Sequence, residues 1–181
     1  MTREQQLRRA AIVCCACLRN VAYFRAGWRE GEPVFSLKSN FQRTLNGNFL
    51  DVAVLEWRKL SHRNEKHSWK RIVTDVTSFE STLLTRLNLN QMSFEDYQTS
   101  VWEYRDKFVA HLDLEDRMNF PKLDIIADAV KFYYEYMIYE EPNAGLVAYG
   151  PLLMDDYFDA CYREAVAFYD VMRVDTEAVI T

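Results

Sequence analysis

Apolar residues in this chain recur three and four apart over long stretches, the spacing of a buried helix face. Leu7, Ala11, Cys14, Leu18, Val21 and Phe24 form the first stripe, which predicts a helix from about Arg3 to Ala26. It stops before Gly31-Glu32-Pro33, a turn signal. A second helical region begins near Ser39 and ends near Ser61, with Asn46-Gly47-Asn48 as a candidate interruption. His62 to His67 is polar and reads as a loop. A short helix from Ser68 carries Trp69, Ile72 and Val73, and another from about Phe79 to Leu89 aligns Phe79, Leu83, Leu84 and Leu87. Phe94, Tyr97, Val101, Tyr104 and Phe108 form the next stripe. Ser93-Phe94-Glu95-Asp96 resembles a capping box opening that helix, which is expected to reach about Leu112. Pro121 suits the first turn of a following helix, patterned on Leu123, Ile126, Val130, Tyr133 and Met137 and ending before Pro142. A loop spans 143–151, and a last helix runs from about Asp155 through Phe158, Cys161, Ala165 and Met172. No convincing run of strands appears. The pattern predicts an all-α helical bundle, one domain over residues 1–181.

Composition narrows the function classes. With 49% hydrophobic residues and a net charge of −5, the chain is globular rather than disordered. Charge is uneven: residues 1–112 hold 17 Lys/Arg against 12 Asp/Glu, and residues 113–181 hold 5 against 15. The acidic balance argues against strong non-specific nucleic-acid binding, but it leaves room for a local basic surface, which the N-terminal part could supply. No stretch approaches the roughly 18 uncharged residues of a membrane span, so no membrane is expected as a partner. The apolar run after Arg8-Arg9 is too short for a signal peptide and flows into the first stripe. Cys14, Cys15 and Cys17 share one helical turn, with Cys161 far away, so they read as soft core residues. No Cys or His pair completes a zinc site, and neither a metal nor another cofactor is expected. Reduced thiols suit a cytoplasmic location.

The chemistry-bearing residues gather late in the fifth stripe. Its next position after Phe108 holds His111 in place of an apolar residue, and Arg105 borders the stripe. Read from residue habits alone, His111 is a packed core histidine and Arg105 an interhelical salt-bridge donor. A second cluster, Arg58 to Arg71, interleaves Arg58, Lys59, Lys70 and Arg71 with Trp57, His62, His67 and Trp69. Such a mix either tracks an RNA backbone and stacks a base, or is a solvated loop whose tryptophans pack inward. The Tyr133-Tyr134-x-Tyr136 group reads as core and interface surface.

The segment Arg105-Asp106-Lys107-Phe108-Val109-Ala110-His111 matches the Arg-x4–6-His signature of the HEPN superfamily. The wider Tyr-Arg-Asp-Lys-x-x-Ala-His-x-Asp form resembles HEPN-like proteins of bacterial abortive-infection systems. Glu56-Trp57-Arg58-Lys59-Leu60 and His67-Ser68-Trp69-Lys70 strengthen the resemblance, which is strongest over residues 1–140 and leaves the helix at 155–173 unassigned. The resemblance implies a metal-independent endoribonuclease or RNA-binding protein of a phage-defence or toxin–antitoxin system, built as a homodimer with an antitoxin or defence partner. It makes Arg105 the phosphate clamp, His111 the acid/base and Asp106 an orienting group; the basic segment separately offers Arg58, Lys59, Lys70 and Arg71 as candidate RNA contacts. Its alternative form is a non-catalytic HEPN dimer binding a nucleotide or a partner protein. Arg105 and His111 are separated by about 240° of turn and ~9 Å of rise on an ideal helix, so they do not share one face, and a two-fold dimer can converge both pairs on one cleft. Position 113 is Asp113, not the tyrosine of HEPN toxins silenced by nucleotidyltransferase antitoxins, so that mode of control is not expected.

Overall fold

In a computed structural model the chain is described over residues 2–106, 121–142 and 150–178, with side chains through Met172. His111, Lys107, Phe108 and the expected end of the fifth helix lie outside the described residues. The described elements are α1 (Arg3–Ala26), β1 (Trp28–Arg29), β2 (Glu32–Pro33), α2 (Asn40–Ser61), α3 (Trp69–Ile72), α4 (Val76–Leu87), α5 (Gln91–Tyr104), α6 (Leu123–Tyr139) and α7 (Met154–Ala178). The architecture is an all-α bundle, and no described helix is long and apolar enough to cross a membrane.

α1 is the axis of the bundle, packing against α2, α6 and α7. Its start is fixed by Thr2, whose hydroxyl accepts from Gln5 N while the Gln5 side chain accepts from Thr2 N. Its stripe is buried as the spacing predicts, except Phe24, which is half-buried. Several boundaries differ from expectation: α4 begins three residues before Phe79, capped by Asp75, and α7 runs on to Ala178. α5 begins two residues before Ser93, because Asn90 caps it by accepting from Ser93 N. Pro121 precedes α6 by two residues, so it leads into the helix instead of sitting in its first turn.

Asn46-Gly47-Asn48 does not interrupt α2. Asn46 turns inward, donates to Phe24 O and Tyr169 Oη, and accepts from Trp28 Nε1 at 3.0 Å. A satisfied inward amide replaces the helix break that an Asn-Gly pair suggests. The turn at Glu30-Gly31 closes a small antiparallel hairpin, Trp28 opposite Pro33 and Arg29 opposite Glu32. Both turn residues have positive φ, the geometry that two-residue hairpin loops require. Two-residue strands are too short to show a period of two, which is why the pattern revealed only the turn.

One aromatic cluster ties the elements together. Trp69, delivered by the single turn of α3, lies 5.6 Å from Trp57, 5.9 Å from Phe79, 6.0 Å from Tyr133 and 6.3 Å from Phe94 between ring centres. That places α2, α4, α5 and α6 around one indole, whose N–H donates to Glu80 Oε1. The loop before α3 is thereby pinned between the end of α2 and the end of α5.

Candidate functional site

α5 is held by its aromatic stripe, and its C-terminal end carries the charged motif. Phe94 packs on Trp69, the Tyr97 hydroxyl donates to Lys122 O at 2.7 Å, and Val101 is fully buried. One turn later the Tyr104 hydroxyl donates to Asp51 Oδ1 of α2 at 2.9 Å. Burial raises the Asp51 carboxyl above its usual range, and the Tyr104 bond offsets part of that shift. With Tyr104 fixed, Arg105 and Asp106 project at the end of the helix, where the backbone widens into a π-type turn.

Arg105 Nη1 donates to Asp106 Oδ1 at 2.6 Å. The same oxygen stands 3.7 Å from Arg58 Nη1, and Arg58 Nε is 3.9 Å from Glu65 Oε1 in the following loop. Two guanidinium groups therefore share one carboxylate. Both are partly exposed, so the pairing fixes geometry more than it adds stability. Beside them the His62 and Trp102 rings meet edge to face at 5.3 Å.

The expected site residues thus divide. Arg58, Arg105 and Asp106 come together, while Lys59 pairs with Glu56 at 2.6 Å and Lys70 with Glu80 at 3.2 Å. Arg71 turns back to Arg63 O. Trp57 and Trp69 are core residues, so neither offers a ring face to a base. Glu65 and Trp102 join the cluster without having been singled out. Trp102 was detectable, three positions before Arg105 on one helix face; Glu65 sits in an aperiodic loop and carries no such signal.

A second feature marks the same region. Among the described residues, the buried side-chain N and O atoms without a hydrogen-bond partner are Trp57 Nε1, Ser61 Oγ, His67 Nδ1, Gln98 Nε2, Trp102 Nε1 and Arg105 Nε. All belong to the last turns of α2, the loop after it, and α5. Gln98, Trp102 and Arg105 follow one another at four and three residues, a single face. Buried polar groups are almost always paired, so these unpaired atoms make the junction of α2 and α5 a less fully satisfied part of the core. Burial and the nearby Arg9 and Lys59 cations lower the His67 pKa, which favours its neutral ring at neutral pH.

Cys14, Cys15, Cys17 and Cys161 are free thiols. Burial pushes the Cys14 and Cys17 thiols well up, and the Cys17 thiol donates to Ala53 O, as core cysteines do. No three His, Cys, Asp or Glu side chains among the described residues converge as a metal site. Compared with known proteins, no family model, no curated protein and no solved structure matches the chain.

Proposed function

We propose that this chain is a HEPN-like, metal-independent endoribonuclease or RNA-binding protein of a phage-defence or toxin–antitoxin type system, acting in the cytoplasm as a homodimer. The observation that supports this reading best is the convergence of the partly exposed Arg58 and Arg105 on Asp106 at the end of α5. Phosphodiester oxygens are the acceptors that paired guanidinium forks suit. In this reading Arg105 grips the scissile phosphate and the charge that develops on it, and Asp106 orients both arginines. His111 takes the proton of a ribose 2′-OH or delivers one to the leaving oxygen, leaving a cyclic phosphate.

One observation favours the second reading, a non-catalytic HEPN dimer that binds a nucleotide or a partner protein. The Arg105 fork is already engaged by Asp106 and has to be released, or shared, to hold phosphate. A labelled-RNA cleavage assay in the presence of a chelator separates the two. Arg105→Ala and His111→Ala should each lose cleavage, by about 10²–10⁴-fold for the acid/base alone, with the helical circular dichroism signal intact. Lys107→Ala on the same segment should matter much less. Absence of cleavage by the intact dimer, with RNA or nucleotide binding that Arg105→Ala removes, would install the second reading.

A further inference from the structure

A cavity of about 350 Å³ lies between α1, Tyr134 of α6 and the segment leading into α7, away from the end of α5. That volume is at the lower end of the range for small-molecule sites. Its α1 wall is one stripe, Arg8, Ile12, Cys15 and Arg19, with Ala11 and Ala16 alongside. Arg8 and Arg19 are eleven residues apart, within about 20° of the same face and ~16 Å along the axis, so they stand at the two ends. Tyr134 and Tyr157 close the other side, together with Gly150 and Pro151.

The chemistry of this wall is one-sided. The Tyr134 hydroxyl donates to Pro151 O at 2.9 Å and the Tyr157 hydroxyl to Cys15 O at 3.4 Å, so both hydroxyls are engaged; the half-buried Tyr157 presents ring surface, while the fully buried Tyr134 backs the wall. The Cys15 thiol is pushed up to about 11 by burial, so it adds no negative charge at neutral pH. Neither Asp nor Glu is among the described lining residues. Neither Arg8 nor Arg19 has a carboxylate within ion-pair distance among the described residues, as is also true of Arg9, Arg43, Arg63, Arg71 and Arg163. Arg19, an exposed side chain, is among the residues that line the cavity.

We propose that this cavity binds a small organic anion with a flat apolar body, seated between Tyr157 and the Ile12–Cys15 face of α1 with the buried Tyr134 behind that wall, the anion's acid group gripped by Arg19 or Arg8. A neutral polar ligand would lose its water hydrogen bonds against a wall that offers few in return. A neutral apolar ligand would leave two guanidinium groups unused. An anionic group on an aromatic or alicyclic frame satisfies both halves of the surface.

The test is a fluorescence titration of the full chain with 1-anilinonaphthalene-8-sulfonate and with N-phenyl-1-naphthylamine, the same ring system without the sulfonate. The sulfonate should bind saturably at one site. The Arg8→Gln/Arg19→Gln double variant should weaken it by about tenfold or more, as loss of a charge-assisted bond implies, and leave the neutral probe unchanged. Ile12→Asp, at a side chain 59% exposed, should also repel the sulfonate selectively, and it decides the matter if the double variant melts early. The proposal falls if the sulfonate fails to saturate one site, if the neutral probe binds as tightly, or if the well-folded variants bind like the parent chain.

Discussion

Asp106 sits between two arginines, and that position gives it opposed effects on any bound polyanion. It holds Arg105 and Arg58 in place, yet its own charge repels phosphate. Under the proposed function, Asp106→Asn should lower kcat, because the arginines lose their common anchor, and should also lower KM, because a repulsive charge has gone. Steady-state cleavage of a short labelled RNA reads both; a rise in KM with kcat unchanged would make Asp106 an ordinary contact residue. His67 offers a pH test. Its folded pKa is lowered from 6.5, so folding favours the neutral ring, and the stability this contributes is present above pH 6.5 and lost as pH falls through the folded value. Melting temperature should therefore drop between about pH 7.5 and 5.5, and His67→Gln should flatten the part of that slope due to His67. At this scale the sequence showed Arg105, Asp106 and Arg58, because residue type and spacing mark them. It did not show that Asp106 links the two arginines, since a shared partner across two helices is decided by packing that no local pattern encodes.

The hairpin and the ends of α1, α2 and α7 meet through one amide. Asn46 bonds Phe24 O, Trp28 Nε1 and Tyr169 Oη, and a Cβ on Gly27 would run into its Nδ2. The Gly27 backbone is an ordinary right-handed one, so the demand for glycine comes from close approach. Asn46→Leu should cost about 2–4 kcal/mol by leaving buried groups unpaired, and Gly27→Ala should cost less but measurably, both read as loss of melting temperature. A melt unchanged by Asn46→Leu would mean water replaces the amide. Helices were the most legible elements, because α1, α2 and α6 repeat their apolar face over many turns. What escaped were features set by one or two side chains: the Asn90 cap, the paired strands and the inward turn of Asn46. Asn-Gly is a turn signal in isolation, and only tertiary partners convert it to mid-helix sequence.

Across the whole molecule the question is whether one copy can complete the proposed site. On an ideal helix two positions six residues apart, as Arg105 and His111 are, face directions about 120° apart, so one copy of such a helix would not aim both at one phosphate. A two-fold partner would bring a second set of motif residues to the same cleft. Electrostatics permits that approach: each copy brings Arg58 and Arg105 with Asp106 and Glu65, a balanced set that does not repel its twin. The chain should therefore form a two-fold dimer burying roughly 1,200 Å² or more, with a mass twice 21.4 kDa by light scattering at micromolar concentration. Because the facing sets are neutral overall, raising salt should not dissociate it, whereas RNA binding should weaken steeply with salt. Mixing Arg105→Ala with His111→Ala protein gives a sharper readout. If a site takes its arginine from one copy and its histidine from the other, mixed dimers regain one intact site and cleavage returns. A monomer at these concentrations would remove both the dimer and the composite site. A stable dimer whose mixed form stays inactive would place each arginine with the histidine of its own chain.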